Sequence, residues 1–271
     1  MHTICFYNQK GGVGKTTSSV TIAQILASYD KKVLIGDLDP QSNTTSLLGK
    51  VPVGAYIDSL FTGKPLDRDT AGFSLEDVLL DTANRIDVHE AITETAYIGL
   101  DLLPTFLTLS AAEGRLKDDV VSPQQFRLKK HLDAIEDEYD YCILDCSPSI
   151  SIVNINGLAA ADLVYVPMTP DAYAIAGAAT VKTMISSVAE YNPKLRLGGV
   201  FFTKWNARKR VNRETAKMVN YYMPNQTLPY NIPISHFLEE NTFLDKAEIP
   251  ESTPAAKVYL DFAKHIMDIF E

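Results

Sequence analysis

A glycine-rich stretch, N-Q-K-G-G-V-G-K-T-T at residues 8–17, carries residue types that can bind a chain of phosphates. It follows an apolar, strand-like run and precedes a pattern of helical spacing. In that context glycines let backbone N–H groups converge on phosphate oxygens at the N-terminus of a helix. The general phosphate loop adds a lysine for the β- and γ-phosphates and a hydroxyl for Mg²⁺. The stretch therefore predicts a site for a nucleotide with magnesium.

The general loop pattern also predicts a role for each position. We expect Lys15 to contact the β- and γ-phosphates, Thr16 to ligate Mg²⁺ and Thr17 to contact the α-phosphate. The strict pattern requires glycine where Gln9 stands, so the prediction depends on the strand and helix that flank the loop. A dinucleotide fingerprint does not fit, because the last glycine is followed by Lys15 and two threonines. The predicted backbone cradle consists of Gly11, Gly12, Val13 and Gly14.

Three aspartates follow strand-like runs. Asp37 ends one run and Asp39 comes two residues later, while Asp145 closes the run Y-C-I-L-D. Ligands of open α/β sheets collect at the carboxyl ends of the strands. Magnesium prefers oxygen ligands and keeps several waters, so we expect Asp145 to act through a bound water. The structural alternative is that these aspartates cap a helix or a turn, and it applies most to Asp37 and Asp39, which precede Pro40.

The apolar patterns indicate the elements that position these residues. Strands and helices alternate, which predicts an α/β fold: a doubly wound, mostly parallel twisted sheet with helices on both faces. We expect one domain over residues 1–271, with 49–72 as a surface excursion. The predicted strands are 3–7, 33–37, 141–145, 162–168 and 197–203. The predicted helices are 14–29, 74–82, 107–117, 123–138, 172–190, 209–223 and 255–270.

The composition is that of an ordinary globular protein, with 46% hydrophobic residues and a net charge of −9. No apolar run approaches the ~20 residues that span a bilayer, and a secretory signal is missing, so we expect a cytoplasmic protein. The three cysteines, Cys5, Cys142 and Cys146, lie in or beside strand-like runs, which favours reduced, buried thiols. The five histidines are scattered, and neither a zinc nor a serine-hydrolase motif occurs.

A basic segment at residues 204–217, K-W-N-A-R-K-R-V-N-R-E-T-A-K, stands out in this acidic chain. Its six cations exceed its one acid, Glu214, by five charges. Contacts to phosphates supply salt-dependent affinity for DNA without sequence preference, whereas a solvated helix face with charge pairs is the structural alternative. The candidate DNA contacts are Lys204, Arg208, Lys209, Arg210 and Arg213.

These motifs together carry a family resemblance. K-G-G-V-G-K-T-T at 10–17 resembles the deviant Walker A motif of the ParA/MinD group of P-loop ATPases, whose mark is the extra early lysine. The resemblance covers nearly the whole chain. It extends through D-L-D-P-Q-S-N (37–43), L-L-P (102–104), Y-C-I-L-D-C-S-P-S (141–149), V-P-M-T-P-D-A-Y-A-I-A-G (166–177) and T-P-A-A-K-V-Y-L-D-F-A-K-H-I (253–266).

The resemblance implies roles that the spacing alone does not give. Lys10 is expected to cross the interface of an ATP-bound homodimer and touch the partner's phosphates, where a second cation would offset charge that develops in phosphoryl transfer. Asp39 is expected to position or activate the attacking water and Asp37 to support the Mg²⁺ ligands. The segment C-S-P-S would sense the γ-phosphate. The expected adenine contacts are Lys204, Asn206 and Pro233.

The implied function is that of a ParA-type partition ATPase. An ATP-bound dimer would bind DNA without sequence preference, and a ParB-like partner would stimulate hydrolysis, so that plasmid or chromosomal DNA is segregated on the nucleoid. With Lys15 so early in the sequence, we expect no N-terminal helix-turn-helix domain. Relatives often carry arginine in I-P-R-N-like segments, whereas this chain reads I-P-I-S-H-F at 232–237. The DNA contacts should therefore fall more heavily on 208–213.

Three alternatives stay open. A MinD-like membrane ATPase would need a C-terminal amphipathic helix rich in Lys or Arg, but 259–271 holds one Lys and three acids and favours a packed helix without membrane contact. An ATP-dependent carboxylate-activating ligase of the same branch would need a second small-molecule pocket. An iron–sulfur reductase is disfavoured, because Cys142 and Cys146 lie on the strand that ends near Asp145.

Overall fold

The core of the protein is one eight-stranded sheet. A computed structural model describes residues 1–49, 58, 61–64, 72–83, 85–119, 122–235 and 253–270. The strands of the sheet are β1 (His2–Phe6), β2 (Val33–Leu38), β3 (Thr93–Glu94), β4 (Leu100–Leu103), β5 (Tyr141–Cys146), β6 (Leu163–Met168), β7 (Arg196–Trp205) and β8 (Thr227–Pro233).

The sheet has the order β3-β4-β2-β5-β1-β6-β7-β8, and only the short edge strand β3 pairs antiparallel. The other pairs are parallel, so the carboxyl ends of seven strands meet at one edge. From central β1 the chain passes to β2 on one side and later to β6 on the other. Ligands of open α/β sheets bind at such a switch point.

Helices cover both faces of the sheet. Among the described residues they are α1 (Lys15–Ser28), α2 (Asn43–Leu48), α3 (Leu75–Leu80), α4 (Leu109–Asp118), α5 (Arg127–Asp133), α6 (Ile152–Ala160), α7 (Ala174–Ala189), α8 (Arg210–Tyr222) and α9 (Pro254–Phe270). One apolar cluster contains Ile22 of α1 and Phe262 of α9. The other contains Leu128 of α5, Leu158 of α6 and Val181 of α7. The predicted fold class is therefore confirmed.

Several elements differ from the sequence-based prediction. The strands β3, β4 and β8 and the helices α2 and α6 were not predicted. The predicted helix 123–138 is a 3₁₀ turn at Gln124–Phe126 followed by the shorter α5. Two prolines obscure the pattern of β8, and they are tolerated there because β8 is an edge strand. Most of the predicted excursion at 49–72 and position 236 lie outside the described residues.

Two further predictions can be compared with the fold. The three cysteines are buried and free, as predicted. The C-terminal segment forms α9, whose Tyr259, Phe262 and Ile266 are at most 1% exposed. Its apolar face is therefore directed into the core, as the prediction of a packed helix requires. In the ranges that the structure describes, no helix is both long and apolar enough to cross a membrane.

Candidate nucleotide-binding site

The glycine-rich loop lies at the carboxyl end of β1 and leads directly into α1, which begins at Lys15. Gly12 and Gly14 adopt left-handed backbone conformations with φ of 70° and 81°. Residues with a side chain rarely adopt that region, so these two positions favour glycine. A Cβ at Gly14 would also lie 3.4 Å from Thr203 on β7. The loop geometry therefore explains both glycines without reference to a ligand.

Lys15 is the buried cation of the site. It is 6% exposed, and its Nζ donates to the carbonyl oxygen of Lys10 at 3.3 Å. Burial lowers the pKa of Lys15, while the negative charges of Asp145 and Asp39 oppose that shift. A positive charge held among carboxylates at the N-terminus of a helix is placed to attract phosphate oxygens.

Asp37 and Asp145 face each other from neighbouring strands, because they are Cα partners in the pairing of β2 with β5. Both are fully buried. Asp37 Oδ2 accepts from the backbone N–H and the hydroxyl of Thr45, each at 2.8 Å. Asp145 accepts from the hydroxyl of Thr44 at 2.8 Å and also bonds with that of Thr16.

The two carboxylates have raised pKa values. Burial, followed by the charge of Asp145, holds the pKa of Asp37 well above its usual range, although hydrogen bonds from Thr45 oppose this. Burial raises the pKa of Asp145 to about 6 against hydrogen bonds from Thr16 and Thr44. Two buried acids and a threonine hydroxyl form an oxygen-rich site, which is the donor set that Mg²⁺ prefers. The three residues predicted to hold the metal therefore fit the ion.

Asp39 lies just beyond β2 and lines a cavity over the glycine-rich loop. It is 8% exposed, and its Oδ1 accepts from the backbone N–H of Gln41 at 2.9 Å. The backbone carbonyl of Asp39 accepts from the N–H of Ser42 at 2.8 Å. The turn that is the structural alternative for Asp39 is therefore present, and the same residue also lines the cavity.

A cavity of about 540 Å³ opens over the glycine-rich loop. Its volume lies within the usual range for ligand sites. The predicted residues that line it are Gly11, Gly12, Gly14, Lys15, Thr16, Thr17, Asp39, Lys204 and Pro233. Pro148, which belongs to the predicted C-S-P-S segment, also lines it, and the lining residues that were not predicted are Gln41, Asn43, Thr203, Ile232, Ile234, Ser235 and Tyr259. Tyr259 comes from α9, where its Oη lies 2.9 Å from Ser18 Oγ of α1.

Two contacts predicted for the subunit's own nucleotide, Val13 and Asn206, lie outside the cavity lining. Of the described residues that line the cavity, none is Lys10, Val13 or Asn206. Val13 is 1% exposed, and its carbonyl accepts from the hydroxyl of Thr203 at 2.8 Å. Asn206 Oδ1 accepts from the backbone N–H of Arg208 at 3.0 Å, so it shapes the turn before α8. The ammonium of Lys10 is bound by Thr169 and Asp171 beyond β6.

The loop after β5 is fixed by a buried asparagine that the sequence did not indicate. Asn154 of α6 is fully buried, and its Oδ1 accepts from the N–H of Ser147 at 3.1 Å. Its Nδ2 donates to the carbonyls of Ser147 and Ser149 at 3.0 and 2.7 Å. Tyr7 Oη donates to the same Ser149 carbonyl at 2.9 Å. These contacts position Pro148, which lines the cavity.

The basic segment follows directly on the cavity. Lys204 follows the buried part of β7 and has a left-handed φ of 50°. It is exposed and also lines the cavity. Arg210, Arg213 and Lys217 are three and four residues apart on α8 and therefore share one face. All the candidate DNA contacts are exposed. Lys217 donates to Glu214 at 3.2 Å, so part of the alternative charge-paired face is also present.

The parallel sheet and the glycine-rich loop before α1 define a P-loop nucleotide-binding protein. A family model described as an AAA domain matches residues 1–197. The sporulation initiation inhibitor protein Soj of Bacillus subtilis is 34% identical over 267 residues, 97% of each chain. The chromosome-partitioning ATPase Soj of Treponema pallidum is 32% identical over 238 residues, 86% of this chain and 85% of that one. The chain belongs to the Soj/ParA family of partition ATPases.

A solved structure of cobyrinic acid a,c-diamide synthase from Mycobacterium smegmatis, with a bound ATP analog and magnesium, is also similar. Its TM-score is 0.79 at 27% identity, and the match covers 100% of this chain and 96% of that one. The fold of this chain is therefore shared with a protein named as a synthase.

Proposed function

We propose that the chain binds ATP with Mg²⁺, forms a homodimer in the ATP-bound state and then binds DNA without sequence preference. A ParB-like protein would stimulate hydrolysis and release the DNA. One observation carries the proposal: Lys204 lines the nucleotide cavity and also begins the exposed basic segment. The state of the nucleotide can therefore change the surface that contacts DNA. In this proposal residues 1–271 act as one ATPase domain in the cytoplasm, on the nucleoid.

In this proposal the residues of the site have separate roles in binding the nucleotide and in its hydrolysis. Gly11, Gly12 and Gly14 present backbone N–H groups to the phosphates, and Lys15 neutralises them. Thr16, Asp37 and Asp145 would hold Mg²⁺, which supplies electrostatic stabilisation of the phosphates when bound. Asp39, which lines the cavity, would orient the attacking water. Ile232 and Ile234, on either side of Pro233, offer apolar contacts to the base.

The decisive experiment measures DNA binding with ATP, ADP or no nucleotide at several salt concentrations. We expect binding that requires ATP and falls steeply with salt, because contacts to phosphates release counterions. The triple variant Arg208→Ala, Arg210→Ala, Arg213→Ala should bind ATP normally. Each contact that it loses should reduce the slope of log K against log salt by about 0.9. Unchanged affinity at matched salt would refute the basic segment as the DNA surface.

The matched control removes the same number of charges elsewhere. Arg115, Lys182 and Lys194 are exposed and lie outside the basic segment. Their combined replacement by alanine should leave the salt slope close to that of the wild type. An equal loss of DNA affinity in both triple variants would mean that DNA binding depends on the net charge of the protein and not on the segment at 204–217.

A second candidate is an ATP-dependent synthase, because the Mycobacterium smegmatis protein matches the full chain. The relatives named Soj are more similar in sequence, at 32% and 34% identity against 27%. DNA binding that is absent in all nucleotide states would favour the synthase.

A further inference from the structure

The loop that carries Lys10 is tied to the segment after β6 through its main chain. Asn8 is 2% exposed, and its Nδ2 donates to the carbonyl oxygen of Pro167 at 2.8 Å. Asn8 Oδ1 accepts from the backbone N–H of Lys10 at 3.0 Å. The main chain at Lys10 is therefore fixed by contacts that do not involve its side chain.

The side chain of Lys10 makes its own contacts with the same segment. Its Nζ donates to Thr169 Oγ1 at 3.1 Å and forms an ion pair with Asp171. Thr169 Oγ1 in turn donates to Asp171 Oδ2 at 2.6 Å. A hydroxyl and a carboxylate thus hold the ammonium of Lys10 within its own subunit.

We propose that Asp171 is a positioning residue that holds Lys10 in its own subunit and thereby sets how much ATP the protein needs to dimerise. This inference rests on the proposed function, because it assumes that Lys10 reaches the partner's phosphates in the dimer. An ammonium that moves to the neighbour's phosphates must leave Asp171. Each dimer that forms therefore breaks two of these ion pairs.

The ion pair between Lys10 and Asp171 is partly exposed to solvent, so it can be broken at low cost. The side chains of Lys10 and Asp171 are 41% and 35% exposed, so water screens their attraction. A triphosphate presents several negative charges and can displace a single carboxylate. Exposed ion pairs contribute up to about 1 kcal/mol. At that upper value, loss of the carboxylate shifts the equilibrium between the held and the released Lys10 side chain by about fivefold per subunit. The dimer dissociation constant would then fall by up to about 25-fold, because two pairs no longer compete.

The test compares Asp171→Asn with two other variants. The amide keeps the oxygen that accepts from the backbone N–H of Tyr173 at 3.0 Å, so the substitution removes mainly the charge. Asp171→Glu keeps the carboxylate and should restore wild-type behaviour. Asp133→Asn is the matched control, because Asp133 pairs with Lys129 on α5 at similar exposure, 53% and 42%. Dimer formation is measured by analytical ultracentrifugation with Mg²⁺ and a slowly hydrolysed ATP analogue.

We expect Asp171→Asn to dimerise at a lower concentration of the analogue and of protein than the wild type, Asp171→Glu and Asp133→Asn. The midpoint of thermal unfolding should be similar in all four proteins without nucleotide. An equal or weaker dimer in Asp171→Asn would overturn the proposal, because Asp171 would then have no effect or would help Lys10 to reach the partner.

A second measurement separates this proposal from the proposed function. Acylation of Lys10 in the protein without nucleotide, followed by mass spectrometry, should be faster in Asp171→Asn than in the wild type. Equal rates would show that Asp171 does not hold the ammonium. If neither protein dimerises with the analogue, the proposed function fails and the regulatory role of Asp171 fails with it, whatever the acylation rates show about the contact. If the wild type dimerises and Asp171→Asn does so equally, only the role of Asp171 fails.

Discussion

Replacement of the buried acid at the end of β5 should make the protein more stable while it abolishes activity. Asp145 is fully buried and faces Asp37 across the pairing of β2 with β5. The change Asp145→Asn keeps the shape and one oxygen acceptor. The new amide faces the hydroxyl of Thr44, which is able to accept a hydrogen bond in place of donating one.

The magnitude follows from the pKa of Asp145, which burial raises from 3.8 to about 6. That shift already includes the attraction of Lys15. An acid with a raised pKa in the folded state binds its proton more tightly there than in the unfolded chain, so stability falls as pH rises from the unfolded pKa through the folded one. Two pKa units correspond to about 3 kcal/mol at pH 7.5. Asparagine does not ionise, so Asp145→Asn avoids this cost.

The assay is urea unfolding in EDTA without nucleotide, from pH 4 to 8. Asp145→Asn should be within about 1 kcal/mol of the wild type at pH 4 and exceed it by about 3 kcal/mol at pH 7.5, which corresponds to about 6–10 °C in the midpoint of thermal unfolding. The same variant should lose Mg²⁺-dependent ATP hydrolysis. Asp133→Asn, an exposed control, should differ little at any pH. A variant less stable than the wild type at pH 7.5, or a difference that is independent of pH, would refute the reasoning.

Two further predictions concern the loops around the site. Asn154→Ala leaves the N–H of Ser147 without its partner, so we expect a loss of about 1–3 kcal/mol in urea unfolding. It should also lower kcat for ATP more than it raises KM, and an unchanged kcat would contradict a role in positioning Pro148. Lys10→Ala should retain ATP binding but lose ATP-dependent dimerisation, and a dimer of unchanged size by light scattering would rule out the contact across the interface.

The phosphate side of the site could be predicted from sequence because its geometry is local. Gly11 to Gly14 lie in the turn between β1 and α1, and Lys15, Thr16 and Thr17 begin that helix, so their order along the chain already places them together at the cavity. Asp37 and Asp145 could be predicted in the same way, since the carboxyl ends of parallel strands meet at one edge.

The rest of the site depends on contacts between distant segments. Ile232 and Ile234 reach the cavity only because β8 pairs in parallel with β7, and the prolines of β8 obscured that strand. Tyr259 reaches it because α9 packs on α1. The ion pair between Lys10 and Asp171 was not predicted for the same reason. Asp171 follows β6, a strand that pairs with β1 although it lies far from it in the sequence.

The central position of β1 has a consequence for synthesis on the ribosome. Phe6 pairs with Asp145 on one side and with Tyr165 on the other. This strand therefore leaves the ribosome before both of its neighbours and stays unpaired until most of the chain has been made. Unpaired strands in nascent chains are prone to aggregation, and long-range parallel pairing is slow. The phosphate loop takes its final geometry only after β1 is enclosed, so we expect a nascent chain to bind ATP only after β5 and β6 have been synthesised, and ATP binding then reports that the centre of the sheet has formed.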